Sequence, residues 1–143
     1  MKIYSCFTPS HEVLYRDYFL PSLPKDFEPH VSRIDISGSG DFGTADFVRA
    51  LEAKLEMVLE SVADNAGSAI VWSDVDIVFT RESVPQLHDL LKDRDTDIWL
   101  QKEMPGDDRE ANVGLILMRC NASVEMLYRE TLALMRSKPS YHD

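Results

Sequence analysis

Ala69-Ile70-Val71-Trp72-Ser73-Asp74-Val75-Asp76-Ile77-Val78-Phe79 is the stretch on which the reading of this chain turns. Its first four residues form a continuous apolar run, the pattern of a strand buried on both faces. Ile77-Val78-Phe79 reads as a second short strand. Between them, at the carboxyl end of the first strand, lie two carboxylates, Asp74 and Asp76. Asp-x-Asp alone carries little weight: with 15 Asp in 143 residues, about one or two such pairs arise by chance. Asp93-Arg94-Asp95 and Asp95-Thr96-Asp97 also qualify, but only Asp74 and Asp76 are framed by apolar strands. The plain alternative for the pair is a charged turn in water.

Outward from this stretch, strands and helices alternate. On the amino-terminal side, Phe47, Val48, Leu51, Leu55, Val58, Leu59 and Val62 fall at helical spacing, with Glu52, Glu56 and Glu60 on the wet side. That helix stops near Asn65-Ala66-Gly67, and Gly38 to Gly43 before it reads as a loop. Ile3 to Phe7 predicts the first strand, ending at a Thr8-Pro9-Ser10 turn that can also cap a helix. His11 to Leu20 reads as that helix. Pro21, Pro24 and Pro29 then break the chain before a strand at Val31 to Ile36. On the carboxyl side, Ser83-Val84-Pro85-Gln86 reads as a capping box opening a helix through Leu91. Asp97 to Gln101 and Val113 to Arg119 are strand candidates, separated by a charged loop from Met104 to Ala111. Asn121 or Ser123 caps a final helix. The alternation predicts one α/β domain over residues 1–143, a mostly parallel, Rossmann-like sheet with helices on both faces. Ligands of such sheets sit beyond the carboxyl ends of the strands.

Composition narrows the functions available. The chain has 25 Asp plus Glu against 15 Lys plus Arg, a formal charge of −10, and 44% apolar residues. That balance argues against a general grip on nucleic acid or anionic lipid, both of which reward Lys/Arg stripes. No apolar run approaches the roughly 20 residues of a membrane span, and the first residues lack the long apolar stretch of a signal peptide. Cys6 and Cys120 lie far apart without Cys-x-x-Cys spacing and read as small core residues. The default setting is the cytoplasm.

Two adjacent carboxylates repel, and a divalent cation stabilises them as anions. Oxygen donors without Cys or paired His point to Mn²⁺ or Mg²⁺ rather than Zn²⁺. Such a metal keeps open positions that suit a diphosphate, which is how an acidic protein can take an acidic nucleotide.

Val71 to Arg81 resembles the Asp-x-Asp strand of the nucleotide-diphospho-sugar transferases with the GT-A glycosyltransferase fold. Asp97-Ile98-Trp99-Leu100-Gln101 and Ala111-Asn112-Val113-Gly114-Leu115-Ile116-Leu117-Met118-Arg119 follow in that family's order, the latter resembling its Asn-x-Gly strand. The helix from Ala45 to Val62 is similar to the one preceding the motif, and Tyr141-His142-Asp143 resembles the start of a later motif. The resemblance extends from about Asp46 to Met135 and implies a glycosyltransferase using a nucleotide-sugar donor, UDP-linked in the first instance.

It implies Asp76 as a direct metal ligand, with Asp74 on the ribose or reaching the metal through water. Thr8 and its neighbours would lie near base and ribose, Lys54 or Arg49 near the phosphates, and Gln101 and Asn112 near the donor sugar. A turn role for Gln101 and Asn112, and a solvated helix role for Lys54 and Arg49, stand beside these. Asp107 or Asp108 is the candidate base for an inverting reaction, against a solvated acidic loop, and His142 a further metal ligand. His11, His30 and His88 show no partner spacing and read as structural. The alternatives are a nucleotide-binding domain or partner subunit without full activity, lacking a carboxy-terminal acceptor-binding portion, and a haloacid-dehalogenase-like Mg²⁺ phosphatase, in which the first Asp is a nucleophile. A short domain with an unfinished sheet edge leaves self-association open.

Overall fold

The computed structural model describes residues 1–36, 44–102 and 111–137. Five strands form one sheet: β1 (Lys2–Phe7), β2 (Glu28–Arg33), β3 (Ala69–Ser73), β4 (Ile98–Lys102) and β5 (Ala111–Arg119), in the order β2-β1-β3-β5-β4. β1 runs parallel to both β2 and β3, whereas β5 is antiparallel to β3 and to β4. Four strands therefore share a direction and β5 alone opposes them, so the carboxyl ends of β1 and β3 meet the start of β5 at one rim.

Helices cover both faces. α3 (Ala45–Asp64) and α5 (Ala122–Arg136) pack on one, where Val58, Val62, Val124 and Tyr128 meet Ile70, Trp72, Ile116 and Met118. On the other, α4 (Ser83–Leu90) and the helical segment after β1 enclose Ile3, Val71 and Leu117 with Phe19, Phe79, Val84 and Leu87. Ile70, Val71 and Trp72 are all buried, as a strand covered on both faces requires. Thr44 caps α3 through its hydroxyl, which accepts from the Phe47 N–H, and Asn121 caps α5 by accepting from the Val124 N–H. At the far end of α5, Arg136 pairs with Glu52 and Glu56 of α3.

Several sequence expectations change in detail. After β1 the chain winds from Pro9 to Ser22 through a 3₁₀ turn, α1 (Glu12–Leu14), a π turn over Tyr15–Phe19 and α2 (Leu20–Ser22). β2 begins at Glu28 and includes Pro29, which was expected to break the chain. β2 is an edge strand, where a missing N–H leaves no ladder bond unmade. Ile77-Val78-Phe79 is not a strand. Val75 and Phe79 are buried by tucking beneath the sheet, and the Phe79 ring meets Phe19 and Phe27 edge-on at centroid distances of 6.1 and 5.3 Å. The Phe79 N–H finds the Ser22 hydroxyl at 3.1 Å in place of a neighbouring strand. Ser83 is the first residue of α4 rather than its cap, and its hydroxyl accepts from the Thr80 N–H at 3.0 Å.

Candidate donor site

From β1 the chain passes outward to β2, then crosses back to enter β3 on β1's other side. That reversal makes the gap between β1 and β3 the switch point of the sheet, where a crevice is expected. The register agrees, since the two strands pair only at Ile3–Val71 and Tyr4–Trp72. Above those rungs lies a cavity of about 350 Å³. Cys6, Phe7 and Thr8 from β1's end, Lys54 and its neighbours from α3, Asp74 to Asp76 beyond β3, and Val113 from β5 line it.

β3 and β5 hold Asp74 in place. The Asp74 N–H donates to the Gly114 carbonyl at 2.7 Å, one rung beyond the Ser73–Leu115 pair. Its carboxylate Oδ1 accepts from Lys54 Nζ at 2.6 Å, and the same ammonium donates to the Val113 carbonyl at 3.3 Å. The Lys54 side chain is only 14% exposed, against 39% for Asp74, so the cation is more enclosed than its counter-ion. Asp76, two residues on, is exposed at the cavity's edge.

Gly114 completes the arrangement. Its N–H donates to Asn112 Oδ1 at 2.7 Å, and a Cβ built on it would lie 2.8 Å from that oxygen and 3.5 Å from Asp74 Oδ2. Only hydrogen fits there without displacing the Asn112 carboxamide. The Asn-x-Gly spacing thus has a local reason, in that the missing Cβ lets the Asn112 carboxamide fold back onto the Gly114 N–H beside Asp74. Gln101, exposed at the end of β4, sits opposite Asn112 in the β4–β5 register.

Some expected residues stand elsewhere. Arg49 pairs with Asp46 one helical turn away and is absent from the cavity's lining. The Asp93 carboxylate accepts from the Thr96 hydroxyl and the Asp95 N–H, bonds that lower its pKa in that order, so this second acidic group is a turn. Asp107, Asp108 and His142 lie outside the described residues. Two lining residues were read as structural. His11 reaches the cavity with its Nδ1 hydrogen-bonded to the Thr8 and Ser10 hydroxyls at 2.9 and 3.0 Å. Cys6 lies below them, its thiol pushed up to about 11, chiefly by burial; the Lys54 charge opposes that shift and the Asp74 charge adds to it. Only their place at β1's carboxyl end, beside Thr8, signalled either one.

A family of nucleotide-diphospho-sugar transferases matches residues 20–143. The chain belongs to that family. The match favours the transferase reading over the phosphatase one, and no curated protein sequence matches the chain. The solved structures that share the fold include two glycosyltransferases. One is a glycosyltransferase involved in glycosylation of the major capsid of PBCV-1, with TM-score 0.60 and 12% identity, matched over 96% of this chain and 68% of its own. The other is the glycosyltransferase GlyE of Streptococcus pneumoniae TIGR4, with TM-score 0.55 and 10% identity, matched over 96% of this chain and 38% of its own. Among the transferase's described residues no helix is long and apolar enough to cross a membrane, and no group of three or more His, Cys, Asp and Glu side chains is gathered to hold a metal.

Proposed function

We propose that the chain transfers a sugar from a nucleoside-diphosphate sugar, UDP-linked in the first instance, and that the cavity between β1 and β3 receives the donor. The observation that carries this reading is the convergence of Lys54, Asp74 and Asp76 on one cavity at the sheet's switch point. In this reading Thr8 and its neighbours face the nucleoside, and Lys54 supplies positive charge for the diphosphate. Gln101 and Asn112 stand towards the sugar.

The acidic pair fits a hard divalent cation, Mn²⁺ or Mg²⁺. Its donors are carboxylate oxygens, and Asp76 is exposed at the cavity's edge. Asp76 is the direct ligand, and Asp74, tied to Lys54, stands behind it. When bound, such an ion neutralises the charge that gathers on a departing diphosphate. The chain's own contribution is placement, because Lys54 and the Gly114 carbonyl fix Asp74 before any ligand arrives. The free Cys6 and Cys120 suit a reducing compartment such as the cytoplasm.

Calorimetric titration of UDP and of GDP, with and without Mn²⁺, tests the reading. Binding of one nucleotide that requires Mn²⁺, and that falls at least about 100-fold in Asp76→Ala, is the expected result. Absence of binding by either nucleotide under every metal condition overturns it.

A further inference from the structure

A second cavity adjoins the first. It is larger, about 550 Å³, and lies between α3, α5 and the face of β4 and β5. Phe47, Leu51, Lys54 and Val113 line both, so the donor cavity and this one share a wall. Along α3 it runs from Phe47 to Val58, about 16 Å of helix, which suits a chain better than a single ring. Leu100, Val113, Leu127 and Leu134 line it and are 45% to 58% exposed, so aliphatic surface is left in water. Two hydroxyls break the apolar lining. That of Thr131 donates to the Leu127 carbonyl at 2.8 Å. That of Tyr128, a residue only 8% exposed, has no hydrogen-bond partner among the described residues. Burial pushes the phenol up to about 12, which keeps it a neutral donor at neutral pH. Buried hydroxyls are ordinarily hydrogen-bonded, so a phenol left bare on the wall of an apolar pocket points to a ligand.

We propose that this cavity binds the acceptor, an alcohol on a hydrocarbon body. Its reacting hydroxyl lies where the cavities meet, at Lys54 and Val113. Its body fills the pocket, and a second oxygen further along accepts from Tyr128. Transfer then joins the acceptor oxygen to the anomeric carbon as the bond from that carbon to the diphosphate oxygen breaks. The diphosphate leaves with the bonding electron pair, and the acceptor's proton passes to water. A second copy of the chain laid over this face would cover the exposed leucines. It would account neither for the buried Tyr128 nor for the wall shared with the donor cavity. This inference rests on the cavity between β1 and β3 being the donor site.

The probes are 1-octanol and the α,ω-diols of hexane, octane and decane. Their affinities for wild type, Tyr128→Phe and Leu127→Glu are measured by ligand-observed NMR, with circular dichroism checking that each variant is folded. Wild type is expected to bind the diols roughly 3-fold more tightly for each added methylene. Tyr128→Phe is expected to weaken octanediol about 5-fold and to leave 1-octanol unchanged, a split that a merely structural tyrosine does not produce. Leu127→Glu, which puts a charge on an exposed part of the wall, is expected to weaken every probe at least about 10-fold. With Mn²⁺ and whichever of UDP and GDP wild type binds, the C1 protons of bound 1-octanol should broaden more than its methyl protons, because that end faces the donor. Affinities independent of chain length, equal losses of octanol and octanediol in Tyr128→Phe, or equal broadening of the two ends overturn the proposal. So does a wild-type dimer in sedimentation that Leu127→Glu splits while no probe binds, which makes a second copy the occupant. If neither nucleotide binds while the diols behave as expected, the donor reading has failed and the acceptor role with it, but the pocket's ligand class stands.

Discussion

Two lysines mark opposite ends of this sheet, and their surroundings differ in kind. At the closed end, Lys2 Nζ donates to the Asn65 carboxamide oxygen at 2.8 Å, while Asn65 Nδ2 donates to the Tyr4 hydroxyl and the Ser61 carbonyl at 2.8 and 2.7 Å. That network ends α3 on β1 with the neutral Asn65 buried at its centre. At the open end, Lys54 meets an ionised carboxylate, with a second carboxylate left exposed beside a cavity. A closed network, in which a lysine meets only neutral partners, serves the architecture. A charged arrangement beside open space is what a ligand can complete.

The sharpest way to break that contrast is to cut each end separately. Asp76→Ala is expected to lose at least about 100-fold in Mn²⁺-dependent nucleotide affinity, while its stability stays within about 0.5 kcal/mol of wild type, as for other exposed positions. Asn65→Ala should do the opposite. It strands the Lys2 ammonium and the Tyr4 hydroxyl and is expected to cost about 2–3 kcal/mol in urea unfolding, with nucleotide affinity unchanged. If Asn65→Ala weakens nucleotide binding directly, the division between the two ends fails.

A smaller effect sharpens the comparison, because each end carries a thiol near its lysine. Both Cys6 and Cys120 are pushed up to about 11, first by burial, with Lys54 and Lys2 respectively pulling the other way. Unfolded thiols ionise near pH 9, so between 9 and 11 the unfolded state holds fewer protons than the folded one. Stability therefore falls as pH rises through that window, by up to about 1 kcal/mol per thiol per pH unit. Urea unfolding at pH 8 and pH 10.5 should show the loss in wild type and a smaller loss in Cys6→Ala and in Cys120→Ala. A pH-independent difference between wild type and these variants would show that burial does not govern the thiols.

The sequence made β3 and the Asp74–Asp76 pair readable because an uninterrupted apolar run has few homes other than a doubly covered strand. The Asn-x-Gly turn was readable from its place at the start of an apolar strand, and Gly114 there leaves room for the Asn112 carboxamide to fold back on its N–H. Ile77 to Phe79 misled because buried apolar residues look alike in a strand and in a loop folded beneath a sheet. Only the distant Ser22, Phe19 and Phe27 decide between them. The placing of Lys54 over Arg49 was likewise hidden, as both are helix cations five residues apart. Which one enters the cavity depends on how α3 sits against β3 and β5. His11 escaped notice because the cavity that gives it a role is assembled from segments far apart in the sequence.

The central claim is that the gap between β1 and β3 is the donor site. A crystal structure of the chain with UDP and Mn²⁺ tests it most directly. The account predicts the diphosphate beside Lys54, the ion on Asp76, and the nucleoside towards Thr8. A nucleotide bound away from this cavity, with Lys54 and Asp74 undisturbed, would contradict it.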